Sequence, residues 1–186
     1  MVEMKNDREV YNVIGGVIRD VINDMAEYIL GLIEINIMQI VYGNGNIPKV
    51  YDRTWEFLNS WMKNVESSNT LNEVVATIFS DPSRLHYDGD NFIHGSKYSG
   101  DKTAEMSLLI EEGLAGHGKA IFGTKHPGAN PRPFFSETIK VLNKNGFLFK
   151  MFKEEMAKRG LEVKKTFADI GSQEEFAGVY APILMM

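Results

Sequence analysis

From Asn6 to Tyr42 apolar side chains recur at the spacing of one face of an α-helix, at Val10, Ile14, Val17, Val21, Met25, Tyr28, Leu32, Ile37 and Val41. A second row widens the stripe: Val13, Ile18, Ile22, Ile29, Ile33 and Met38. Arg19, Asp20, Asn23, Asp24, Glu27 and Glu34 hold the opposite side in water. The stretch therefore predicts an amphipathic helix from Asp7 to Tyr42, about 50 Å long at 1.5 Å per residue. A helix of that length exceeds the width of a small domain. Its surplus apolar face has two candidate covers, a sheet from the same chain or sister copies in an oligomer. Asn6 followed by Glu9 gives a capping-box pattern at the start. At the far end, Gly43 supplies a residue suited to a left-handed helix terminus. Gly15-Gly16 and Gly31 predict either a kink, a late start near Gly16, or close backbone packing.

The remaining chain is too short for many domains and too apolar for disorder. With 186 residues, 44% hydrophobic and 11% aromatic, it can bury a real core in one domain over 1–163, leaving 164–186 as an extension or docking arm. A net charge of −5 with no basic cluster argues against a nucleic-acid groove or an anionic membrane surface. The absence of cysteine excludes disulfides and thiolate metal sites. No segment reads as a signal peptide, and the first helix reads as too charged to span a bilayer.

Asn44-Gly45-Asn46 is a turn, and Pro48 makes Ile47–Tyr51 extended. Trp55, Phe57 and Trp61 sit at strand offsets while Leu58, Met62 and Val65 sit at helical ones, so Trp55–Met62 stays open between the two. Asn72–Phe79 alternates as a strand. Ser83–Gly100, rich in Gly, Asp, Asn and Ser, reads as a long loop or a loose hairpin tip. Thr103 caps a helix that stops at Gly113, and Gly113–Pro131 is a surface excursion. Pro133-Phe134-Phe135 starts a helix that Asn143 and Asn145-Gly146 interrupt. A second helix runs Phe147–Arg159 and is capped by Gly160, and Leu161–Val163 reads as a terminal strand. The fold class is α+β: long N-terminal helix, small antiparallel sheet, and C-terminal helix across it.

Signals for chemistry are thin. Gly113–Ala120 fits the phosphate-loop spacing, but Ala120 stands where a Mg²⁺-binding hydroxyl is needed, and Gly123, Pro127 and Gly128 interrupt the helix that should follow. Asp88 and Asp90, with Asp81, His86 and His94, carry hard-cation chemistry without the spacing of a full Ca²⁺ loop. His117 and His126 lie in a Gly-rich loop of unset geometry. No serine sits in a nucleophile elbow, and Glu111-Glu112 reads as the solvated end of a helix. From the residues, then, no catalytic group, cofactor or metal site is assigned. The rival reading is a small metal-dependent enzyme or cation-binding module using the Asp81–His94 loop.

Three motifs in order carry a family resemblance. They are Ile47-Pro48-Lys49-Val50-Tyr51-Asp52-Arg53-Thr54 with Leu58 and Ser60, then Leu109-Ile110-Glu111-Glu112-Gly113, then Pro131-Arg132-Pro133-Phe134-Phe135 with Thr138. Between Val10 and Val163 the chain resembles the small neck proteins of tailed phages, called head-tail joining or tail-completion proteins and found also in prophages and phage-tail-like bacteriocins. It departs from them at Trp55, where the family often has glycine. Across Glu112–Thr124 the family's aromatic-Gly-Thr element is blurred, and beyond Val163 the chain has no counterpart. The resemblance implies a non-enzymatic virion subunit, assembled in the bacterial cytoplasm into a six- or twelve-fold homo-oligomeric ring. Its implied neighbours are connector, tail-terminator or sheath and tube proteins. Candidate interface residues from the motif regions are Tyr51, Arg53, Trp55, Trp61, Arg132, Phe134 and Phe135, with arginine also serving to anchor loops through carboxylates. Ile183 and Leu184 join them from the apolar stretch Tyr180–Met186, which is a liability unless docked.

Overall fold

The structure is a computed structural model that describes residues 7–43, 55–67, 73–85, 106–112 and 131–164. Helix α1 spans Asp7–Asn36 and continues as a π-helix over Ile37–Tyr42. Then follow α2 (Glu56–Asn59), strands β1 (Trp61–Ser67) and β2 (Val74–Ser80), and a 3₁₀ turn at Pro82–Arg84. Helices α3 (Met106–Glu112), α4 (Phe134–Leu142) and α5 (Phe147–Lys158) complete the described elements. The fold is α+β, with β1 and β2 pairing as a two-stranded antiparallel sheet. Residues 161–164 are irregular, so the strand expected at Leu161–Val163 is not formed. The open stretch after Trp55 resolves as both alternatives in succession, one helical turn and then a strand.

Two compact units divide the described chain. One takes the described residues of 7–31, 63–67, 73–78 and 140–164, the other those of 32–43, 55–62, 79–85, 106–112 and 131–139.

In the first unit α1 buries Val21, Met25 and Ala26, and α4 and α5 bury Leu142, Leu148, Phe149 and Met156. Tyr28 and Phe147 meet with ring centroids 5.9 Å apart. The Arg159 guanidinium pairs with Asp24 and, at 3.1 Å, with Glu155. Lys63 at the start of β1 bonds Asn23 Oδ1 at 2.9 Å and Glu27 at 2.5 Å. The interruption expected after α4 is present, with Asn145 and Gly146 both left-handed at φ 53° and 67°. The end of α5 closes as a Schellman motif. Leu161 N–H donates to Met156 C=O at 3.0 Å and Gly160 N–H to Ala157 C=O at 2.9 Å, with Gly160 at φ 75°.

In the second unit Ile33, Ile37 and Val41 are buried. Four residues overshoot one α-helical turn but undershoot the wider π turn, so the two steps cancel and all three side chains stay on the core side. Gly43 does not adopt the left-handed conformation expected of it; its φ is −81°. Its role is close approach, because a Cβ there would lie 2.5 Å from the Gln39 carbonyl oxygen.

Neither a kink nor close packing accounts for Gly16 and Gly31. Helix α1 is continuous through both, and a Cβ at either meets nothing within 4 Å. One further expectation is revised. By length and composition alone, the helical stretch Asn12–Tyr42 contains an 18-residue window apolar enough to cross a membrane, and only 28% of that window is buried.

Opposite effects are expected from alanine at these glycines. Gly16→Ala and Gly31→Ala should each raise unfolding stability by up to about 1 kcal/mol. Gly160→Ala should lower it by about 1–2 kcal/mol, since its conformation is strained for any L side chain. Urea unfolding of the three variants checks both signs.

Candidate functional site

The second unit is built on an aromatic cluster. Phe134 is 1% exposed, and its ring meets Phe57 at 5.4 Å and Trp61 at 5.6 Å, both edge-on. Phe57 and Trp61 also meet edge-on at 6.3 Å, and Phe135 stacks on Trp61 at 6.0 Å. Edge-to-face pairs of this kind contribute about 0.5–1.5 kcal/mol each beyond the area they bury. Two buried hydroxyls are satisfied beside the rings. Ser60 Oγ donates to Phe57 C=O at 2.8 Å and shares a hydrogen bond with Ser80 Oγ. Thr138 Oγ1 donates to Phe134 C=O at 2.9 Å and accepts from Asn36 Nδ2 at 2.7 Å. Among the described residues Trp61 Nε1–H is buried with no acceptor, a cost of about 1–3 kcal/mol that the ring contacts offset.

Glu111 has a role that its sequence context concealed. Its Oε2 accepts from Phe135 N–H and its Oε1 from Ser136 N–H, both at 2.9 Å. A carboxylate thus caps the first turn of α4 from a different element, satisfying two orphan amides where the helix dipole favours negative charge. Arg132 N–H donates to Ile110 C=O at 2.9 Å in the same place. The second and third resemblance motifs therefore meet in space. Glycine follows Glu111-Glu112 in sequence and proline precedes Phe134, but nothing in those patterns announces a bond between residues 24 positions apart.

The predicted interface residues fall into three groups. Trp61 and Phe134 lie in the core of this unit, and Phe135 and Arg132 are half-buried beside it. Trp55 is 40% exposed. Tyr51, Arg53, Ile183 and Leu184 lie outside the described residues. So do His86, Asp88, Asp90 and His94, the phosphate-loop-like run 113–120, His117 and His126.

Of the Asp81–His94 cation loop, Asp81 is described. Its Oδ1 accepts from Ser83 N–H at 3.0 Å and Ser83 Oγ at 2.7 Å, capping the 3₁₀ turn. The Ser83 hydroxyl, then the Ser83 amide, with Arg84 adding a smaller pull, hold the Asp81 carboxyl below the usual range. Among the described residues no three His, Cys, Asp or Glu side chains cluster as a metal site.

Trp55 is irregular in two ways. It adopts a left-handed conformation at φ 62°, which costs an L residue roughly 1–2 kcal/mol, and it does so while presenting a large ring to solvent. Tyr42, the last residue of the π-helix, packs edge-on against it at 4.7 Å. Ile35 and Met38, on the turn that leads to Tyr42, are 51% and 41% exposed.

Over residues 8–158 the chain matches the family described as YomN. It belongs to the YomN family. That family is phage-associated, so the chain is a phage-related protein. No curated protein and no solved structure matches the chain.

Two outcomes are expected from this geometry. Glu111→Ala should destabilise the fold by about 1–2 kcal/mol and Glu111→Gln by less, measured by urea unfolding. Ser83→Ala should raise the Asp81 pKa toward the ordinary carboxylate value in an NMR titration. Because the folded-state pKa of Asp81 is depressed, its contribution to stability is present above the unfolded value and is lost as pH falls through the folded one.

Proposed function

We propose that this YomN-family chain is a structural subunit of a phage or phage-tail-like particle, part of a homo-oligomeric ring in the neck between head or connector and tail. The observation that carries the reading is the uncovered apolar surface of the first helix. Only 28% of its apolar window is buried, and large side chains at Ile35 and Met38 on the helix, and at Trp55 beyond it, are exposed. A subunit that shows each neighbour a wide apolar face supplies what a ring interface needs. The motif order that resembles neck proteins supports the same place in the particle and implies six or twelve copies. Connector, tail-terminator, or sheath and tube proteins are the adjoining layers in this reading. The chain carries no catalytic step, and its place is the virion.

A second reading has an observation of its own, since the window within Asn12–Tyr42 is also apolar enough to cross a membrane. Charge placement favours a protein cover. Asp24 and Glu27 are tied on this same helix to Arg159 and Lys63, and Ile33 and Ile37 are already buried among protein. Ionised side chains at a bilayer centre cost about 2.5–3.5 kcal/mol each.

Purified particles from an induced lysogen decide between the readings. The chain is expected in the particle fraction at a multiple of six copies by quantitative mass spectrometry, with density at the neck by cryo-electron microscopy. Recovery only in a carbonate-resistant membrane pellet overturns the neck reading in favour of the membrane one. Asp88→Ala and Asp90→Ala should leave incorporation unchanged.

A further inference from the structure

The irregular backbone of the second unit lies beside exposed apolar side chains. Residues Ile37–Tyr42 form a π-helix, a rare geometry. Trp55 is held left-handed beside Tyr42. The π turn serves the core and also sets Tyr42 against Trp55, whereas the left-handed Trp55 is exposed and has no such packing role; strain kept at an exposed aromatic, in a patch beside Ile35, Met38 and Tyr42, points to a function that offsets it. Glycine would fit the Trp55 backbone without strain, so the ring is kept for what it touches.

We infer that this patch receives the segment Phe176–Met186 of a neighbouring copy, an inference that rests on the ring reading above. Charge identifies the occupant. The two longest runs in the chain without Asp, Glu, Lys or Arg are Ile35–Pro48, which supplies three of the four patch residues, and Phe176–Met186. A charged segment docked there would leave an ion desolvated against rings and aliphatic chains. Phe176, Val179, Tyr180, Ile183, Leu184 and Met185 bring apolar bulk without that cost, and Pro182 favours an extended path for the backbone. The twelve residue-to-residue steps from Lys164 to Phe176 reach about 40 Å when extended, far enough to leave the parent copy. Symmetry selects the neighbour. Patch on patch is a self-complementary contact that ends at a pair, whereas a segment of one copy on a different surface of the next is head-to-tail, the contact type from which a ring is built when its rotation closes.

The chain has no cysteine, so disulfide trapping has a clean background. Differently tagged full-length Met38→Cys and Leu184→Cys chains are mixed and oxidised, with the exposed Val141→Cys replacing Met38→Cys as control. An intermolecular Met38–Leu184 cross-link well above the control is expected. Adding Trp55→Gly, which suits the backbone at that position, should reduce its yield about tenfold, as loss of an aromatic anchor does. A yield no greater than the control, or a Met38→Cys/Leu184→Cys double variant that closes only within its own monomer, overturns the inference. Native mass spectrometry of the unmodified chain separates this failure from a wider one. Multimers without the cross-link sink the docking contact alone, while a chain that stays monomeric and is also missing from particles sinks the ring reading with it.

Discussion

Phe134 is the point on which the second unit depends. Its ring is closed in by Phe57 and Trp61, its carbonyl is held by Thr138, and Thr138 is held in turn by Asn36 at the end of α1. One residue thereby ties together three segments that lie far apart in the chain. Truncating a buried phenylalanine costs about 3–5 kcal/mol, a large share of a small domain's net stability. The Glu111 carboxylate completes the arrangement by fixing the first turn of the helix that carries Phe134. Packing here is directional because the hydrogen bonds sit on the same residues as the rings.

Departures from local ideality are concentrated elsewhere in that unit. The π turn keeps Ile37 and Val41 in the core while placing Tyr42 against Trp55, and Gly43 admits the close backbone approach that follows. Trp55 bears a conformation better suited to glycine. Core packing requires the π turn but places no such demand on an exposed tryptophan. That asymmetry separates Trp61 and Phe134, which are spent inside the unit, from Trp55, which is strained and exposed.

The first unit is ordinary by comparison. Its ion pairs are partly exposed, and such pairs are worth about 0–1 kcal/mol each. Asp24–Arg159 and Glu27–Lys63 nevertheless mark the side of α1 that faces its own chain. Val13, Ile14, Ile35 and Met38 of the same helix remain exposed.

Much of this was legible in the residues. Helical periodicity located α1, alternation located β2, and Asn145-Gly146 and Gly160 marked the break before α5 and its end, because these signals are local and act through backbone preference. The order of three short motifs carried the phage association. Other features required the folded chain. Glu111 reads as a solvated carboxylate until α4 is brought to it, Trp61 and Phe134 read as contact residues until they close on each other, and Gly43 reads as a left-handed cap until the π turn makes it a point of close approach. Sequence by itself determined where the chain turns and which faces are greasy, since each depends on neighbours a few positions away. Only tertiary structure decided which of those greasy side chains were consumed inside, because burial is settled by partners distant in the chain, and what they leave uncovered defines the surface for another molecule.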